Sequence, residues 1–348
     1  MLLFKIAITA LVSARAAAAI GLRAGLVDHP DARKQHQGRV PLTGGIGIFA
    51  TILLGTFVFD IPPYTLATLV IALVVFLVGL FDDVRHINPW LRLGIQYTAG
   101  WLMATIGGVA IHNVGNLLAM GDIPLLLLTA PLTALAVAGL SNAYNMIDGI
   151  DGLAAALIAL PLLVLFALAV QAGHPFTPTL ALLWVPVLAF LLFNLGPDNR
   201  FLPKMFLGDA GSISMGFLVT ASLVFFSQGD DALIRPVTAL WLVTVPLMDM
   251  LATMLRRGLR RVPLMEADRL HLHHILIDEF GLGSRTTLAI LVVYGSAMAL
   301  LGLALEAIAP YLSLAAYFLL FSGHCGFVTR SGEIARRLRP EAQALPQE

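Results

Sequence analysis

Eleven apolar runs of about 14 to 20 residues divide this chain, and a run of that length crosses a bilayer by coiling, because only a helix satisfies its own backbone there. They cover 2–22, 44–59, 64–81, 91–110, 123–141, 153–170, 177–195, 211–227, 236–255, 286–305 and 309–328. Of the 348 residues only 12% are charged and 58% are hydrophobic, too few charges to clothe a soluble globule. The expected architecture is therefore all-α: a polytopic integral membrane protein with one transmembrane domain over 1–328 and a basic, then polar, tail over 329–348. Residues 2–20 imitate a signal peptide, but Arg15 interrupts the apolar region and further spans follow, so a retained first helix is expected. The single cysteine, Cys325, excludes an internal disulfide.

Basic residues are segregated. The segments 23–43, 82–92, 142–152, 196–210 and 256–285, with the tail from 329, hold 18 of the 21 Lys and Arg, whereas the alternate connections hold only Arg235. By the positive-inside rule the first set is cytoplasmic, which puts the N-terminus outside and the C-terminus inside. The same segments carry nearly every residue capable of chemistry, so a water-soluble reactant is expected at that face.

The most concentrated polar stretch is Asn142-Ala-Tyr-Asn-Met-Ile-Asp-Gly-Ile-Asp-Gly-Leu153, with amides at Asn142 and Asn145 and carboxylates at Asp148 and Asp151. On an unbroken helix Asn142 and Asp151 would face opposite sides, so Gly149 and Gly152 suggest a helix end that turns back and converges the four groups. A polar network that merely locks helices together would use the same residue types. In the first basic segment Arg33, Lys34 and His36 supply cations, and Gly44-Gly45 before an apolar helix would let backbone N–H groups approach an anion. Asp82 and Asp83 end an apolar run; adjacent carboxylates repel unless a cation neutralises them, which suggests Mg²⁺ shared with substrate phosphates.

Asp209, between glycines in Gly208-Asp-Ala-Gly-Ser212, could reach a metal or serve as a helix cap. Asp249 lies about two turns inside the ninth run, where an ionisable residue marks function. The longest and most basic segment ends in Ala267-Asp-Arg-Leu-His271-Leu-His273-His274. On a helix His271 and His274 would share a face, with His273 about 100° away. With no cysteine nearby and five arginines preceding, an anion is a better guest than zinc. Acids for a hard cation, Arg and His for phosphate oxygens and amides for a base or sugar add up to transfer of a doubly charged group to a lipidic acceptor.

These segments, in this order from Gly25-Leu-Val-Asp28 through His274, resemble the polyprenyl-phosphate N-acetylhexosamine-1-phosphate transferases. The His-Leu-His-His form after Ala-Asp-Arg and the stretch Pro236-Val-Thr-Ala-Leu-Trp241 resemble the branch that uses UDP-GlcNAc and undecaprenyl phosphate; the branch taking UDP-MurNAc-pentapeptide carries three consecutive histidines. The resemblance implies a catalytic set of Asp82, Asp83, Asp148, Asp151, His271, His273 and His274. It implies substrate contacts from Asn145 and Arg269, to which the residue reading adds Arg33, Lys34, His36 and Asn142, and metal ligation by Asp83 and Asp209 with Mg²⁺, or Mn²⁺, as cofactor.

Expected partners are UDP-GlcNAc, undecaprenyl phosphate and the bilayer of a bacterial inner membrane, with no nucleic acid and a homodimer left open. The lysine that some branches place three after the acid pair is absent, with His86 there and Arg85 as the substitute. The lipid phosphate would attack the β-phosphorus of UDP-GlcNAc and release UMP, the first membrane step of a cell-surface glycan. Since a phosphate monoester is already largely ionised near neutrality, with its second pKa about 6, Asp82 is expected to act through metal or geometry. Alternatives are another UDP-HexNAc, the pentapeptide donor, or a transporter.

Overall fold

The structure is a computed structural model and describes residues 1–28, 39–263 and 270–338. Every apolar run is helical. In chain order these are α1 (Leu2–Ala24), α2 (Gly44–Val58), α3 (Leu66–Val84), α4 (Pro89–Thr105), α5 (Thr129–Ile147, entered through a 3₁₀ turn at Leu126–Leu128), α6 (Leu153–Ala172) and α7 (Thr177–Asn194). Then follow α8 (Gly208–Phe225), α9 (Pro236–Leu242), α10 (Thr244–Arg260), the short α11 (Leu272–Asp278), α12 (Ser284–Leu305) and α13 (Pro310–Leu338). Two short strands, β1 (Val27–Asp28) and β2 (Val40–Pro41), pair antiparallel.

Among the described residues eight helices are long and apolar enough to cross a membrane, or nine if α9 and α10 count as one broken span. The protein is thus an all-helical, polytopic integral membrane protein. The other two expected spans fall short for different reasons: α2 has 15 residues, and α4 has 17 with Arg92 and Gln96 among them. The expected continuous helix over 236–255 is corrected: α9 and α10 meet at 83°. Pro246 has no N–H to give the carbonyl of Leu242, and the chain restarts its ladder with Leu247 N–H donating to Val243 O at 3.1 Å. Pro161 and Pro186, by contrast, lie inside continuous helices.

α8 is the axis of the bundle. Of its apolar window 89% is buried, against 22% for α12 and α13 at the periphery. Its hydroxyls spend their hydrogens within the helix: Ser212, Thr220 and Ser222 each donate to the carbonyl one turn back, and glycines leave room for close contact. Neighbours therefore come close. A Cβ on Gly216 would sit 2.7 Å from the Cα of Ser141 on α5, and one on Gly79 of α3 2.7 Å from the Cα of Ala210.

Gly44 and Gly45 also serve this close packing, which corrects their expected role at an anion. Their N–H groups donate to the carbonyls of Phe206 and Leu207, each at 2.9 Å. That bond pair, with Phe206 N–H returned to Pro41 O at 2.9 Å, ties β2 to the segment leading into α8. The result gathers the end of α3, the starts of α4 and α8, the end of α5 and the α10–α11 region at one end of the bundle.

Candidate active site

Asp82 and Asp83 occupy the last turn of α3, and consecutive helical positions send them different ways. Asp82 is buried; its Oδ2 lies 2.5 Å from Arg92 Nη1, and its Oδ1 accepts the Ile87 N–H at 2.7 Å. Asp83 turns to the start of α8, where its two oxygens accept the N–H groups of Asp209 at 2.8 Å and Ala210 at 3.0 Å. These are orphan donors of a first helical turn, so a carboxylate there satisfies them and meets the positive end of the helix dipole. The approach depends on Gly208, whose φ is +74° and whose hypothetical Cβ would lie 2.8 Å from Asp83 Oδ2.

Asp209 closes the cluster. Its Oδ2 is 3.3 Å from Arg92 Nη1, and its Oδ1 accepts from Asn145 Nδ2 at 2.7 Å. Asn145 in turn accepts from Arg92 Nη2 at 3.0 Å and also donates to Ser212 Oγ at 3.1 Å. One guanidinium on α4 thus bridges two carboxylates and an amide from three other helices, in the forked geometry that arginine offers and lysine does not.

Beside this cluster opens a cavity of about 890 Å³ that runs between α4, α5, α8, α9 and α10. At one end it is walled by Arg92, Asn142, Asn145, Arg257, His271 and His274; the rest is overwhelmingly apolar, as far as Val114 and Gln228 at the opposite end of the bundle. Along α5 the lining extends from Leu132 to Met146, roughly 20 Å at the helical rise. Leu135 in this wall is 60% exposed, so the cavity is an open groove and not a sealed chamber.

The structure joins Asp82, Asp83, Asp209 and Asn145 in one network. Asn142 faces the groove, its Nδ2 donating to Ala138 O at 2.7 Å and to the buried Gln96 Oε1 of α4. Of the four groups expected to converge, Asn142 and Asn145 line the groove, while Asp148 and Asp151 are not among its walls. α5 continues to Ile147 with both amides on it, exposed Asp148 caps its end, and Asp151 pairs with Lys204 at 2.5 Å.

The histidine geometry is also corrected. His271 is extended (φ −74°, ψ 153°) and precedes α11, so it stacks on His273, rings 6.0 Å apart and 8° from parallel, rather than sharing a helix face with His274. Buried His273 presses Nε2 against Gly149, where a Cβ would collide with it. Arg33, Lys34, His36 and Arg269 lie outside the described residues. Sequence reasoning missed Arg92, Gln96 and Lys204. Arg85, proposed as the cation near the acid pair, is exposed, and Arg92 takes that place. The available signal was an arginine at the second position of an apolar run.

The donor set fits a hard cation. Asp83 and Asp209 meet at the start of α8 and offer carboxylate oxygens, the hard ligands such an ion takes, with Asp82 beside them. Among the described residues no three carboxylates or histidines form a complete cage. Mg²⁺ does not require one, since it takes one or two carboxylates, waters and substrate phosphates.

A family model for glycosyl transferase family 4 matches residues 65–227, which span α3 to the end of α8. The chain is 34% identical over 332 residues to the undecaprenyl-phosphate alpha-N-acetylglucosaminyl 1-phosphate transferase of Yersinia pestis, covering 92% of this chain and 88% of that protein. It is 33% identical to the protein of the same description from Escherichia coli K12 over 334 residues, with the same coverage. To that of Pasteurella multocida it is 33% identical over 329 residues, covering 92% of this chain and 90% of the relative.

Proposed function

We infer the reaction from one premise: this chain belongs to glycosyl transferase family 4. It transfers GlcNAc 1-phosphate from UDP-GlcNAc to undecaprenyl phosphate, releasing UMP and forming the lipid-linked GlcNAc diphosphate. The observation that carries this reading is the groove, a long apolar wall ending in cations, amides and histidines beside three aspartates. An acceptor made of a long hydrocarbon and a phosphate head has that same division.

In the transfer an oxygen of the lipid phosphate bonds to the β-phosphorus of UDP-GlcNAc, and the bond from that phosphorus to the bridging oxygen breaks. The bridging oxygen leaves on UMP with the electron pair. Because the nucleophile is already ionised, the protein's part is to align and neutralise. Arg257, His271 and His274 line the head end of the groove and meet phosphate oxygens. Arg92 holds Asp82 and Asp209 at fixed separation, and Asn145 fixes Asp209 in turn. Asp83 and Asp209 would hold Mg²⁺, which when bound neutralises charge on the diphosphate. Lys204 pairs with Asp151, tying the segment before α8 to the turn between α5 and α6.

The chain lies in a bacterial inner membrane with this end of the bundle cytoplasmic, eleven crossings if α2 and α4 each span, the N-terminus outside and the C-terminus inside. The distribution of Lys and Arg supports that orientation.

The test is detergent-purified protein with undecaprenyl phosphate, Mg²⁺ and labelled UDP-GlcNAc, UDP-GalNAc or UDP-MurNAc-pentapeptide, scored for UMP and lipid-linked product. Product from UDP-GlcNAc alone is expected, lost on chelation and restored by Mg²⁺. Absence of product with every donor overturns the reading.

A further inference from the structure

Asp249 sits on α10 beyond the break at Val243, buried among apolar helices. Burying a carboxylate there costs several kcal/mol unless each oxygen is matched. Both are matched, and by two different kinds of group. Oδ1 accepts the N–H of Leu272 at 2.7 Å, docking the start of α11 onto α10. Oδ2 lies 2.8 Å from His271 Nδ1. The first bond alone would account for a structural acid. The second fixes a ring that belongs to the wall of the groove.

His271 is extended, so its ring reaches back to α10 by the Nδ1 edge, and parallel stacking on His273 sets its plane. The opposite nitrogen, Nε2, has no hydrogen-bond partner among the described residues, while the residue lines the groove beside Arg257 and His274. A ring held by a carboxylate at one nitrogen has its tautomer and aim settled before any ligand arrives. With Nδ1–H donated to Asp249, an N–H at Nε2 makes the ring a cation, and carboxylate and imidazolium together add no net charge to the apolar surroundings.

We propose that Asp249 is a positioning residue for the transfer: it holds His271 so that Nε2 faces the groove and donates to a phosphate oxygen of the reacting lipid or sugar diphosphate. This inference rests on the phosphotransfer reading above. In Asp249→Asn the amide oxygen can still accept the Leu272 N–H, so α11 stays docked. The amide nitrogen then donates to Nδ1, which reverses the polarity of that bond: Nε2 still carries a hydrogen, but the ring is neutral and its donation to a phosphate oxygen is no longer charge-assisted.

The experiment measures UMP release, KM for each substrate and thermal stability for the wild type, Asp249→Asn, Asp249→Glu, His271→Gln and the Asp249→Asn/His271→Gln double variant. Wild-type turnover checks the underlying reaction separately, since its absence would sink that reading rather than this one. The expected result is a fall in kcat of about 10- to 100-fold in Asp249→Asn, because a charge-assisted hydrogen bond to phosphate is roughly twice as strong as a neutral one. Melting temperature should hardly move, Asp249→Glu should recover part of the rate, and the double variant should be no worse than the poorer single. A rise in KM for undecaprenyl phosphate assigns the contacted oxygen to the lipid head; a rise for UDP-GlcNAc assigns it to the diphosphate. Near wild-type turnover in Asp249→Asn overturns the proposal, as do losses that multiply in the double variant. If Asp249→Asn fails to fold, full activity in His271→Gln overturns it equally.

Discussion

Arg92 shows how one side chain sets a site. Its guanidinium lies within 3.3 Å of two carboxylates and also holds the Asn145 amide oxygen. Arg92→Gln leaves Asp82 buried without a cation, and breaking such a pair costs about 3 kcal/mol. The expected outcome is a clear drop in melting temperature in detergent together with loss of UMP release. Arg92→Lys should regain stability more than activity, because an ammonium lacks the fork that reaches both acids and the amide. Gly149→Ala separates the two effects the other way. A methyl at 149 pushes into His273 Nε2, so turnover should fall about 10-fold through a displaced ring, while melting shifts little; unchanged kinetics would exclude His273 from the chemistry.

At this scale the acids were legible because carboxylates next to apolar runs have few bland explanations. Arg92 was not, since it sits inside an apolar run and meets residues 53 and 117 positions away. The His273–Gly149 contact was invisible for the same reason: nothing local links the two.

Among the elements, the pairing of α3 with α8 decides where Asp83 and Asp209 meet. Gly79 lets the backbones touch, with a hypothetical Cβ 2.7 Å from the Asp209 carbonyl oxygen. Gly79→Ala must part the two helices, an overpacking cost of about 1–3 kcal/mol, and should also break the bonds from Asp83 to the α8 N–H groups. Lower thermal stability with a weaker response to added Mg²⁺ is expected, and a variant that melts and responds like the wild type would refute this account. Helix positions were readable from apolar length alone. The break at Val243 was not, because Pro161, Pro186 and Pro246 look equivalent in sequence, and only Pro246 falls in the first turn after a change of direction. The histidine motif was misplaced for a related reason. A helical wheel assumes a helix, and Asp249, 22 residues earlier, pulls His271 into extended backbone instead.

For the whole molecule, the separation of a charged head site from an apolar groove predicts separable kinetics. Gly139 lines the groove on α5, and a Cβ there would meet nothing nearer than the Met250 Cε at 3.8 Å. Gly139→Leu therefore starts from open space and adds bulk to the groove. KM for undecaprenyl phosphate should rise about 10-fold with KM for UDP-GlcNAc nearly constant; parallel changes in both would argue against the groove as the lipid's seat. The open groove along Leu135 carries one more consequence if it faces the bilayer. An acceptor that slides in through the wall keeps its tail in hydrocarbon throughout, whereas lifting it into water would cost about 0.8 kcal/mol for every methylene exposed. Catalysis would then obey surface dilution: turnover would follow the mole fraction of acceptor among its neighbours in the leaflet, and diluting vesicles in buffer would leave it untouched.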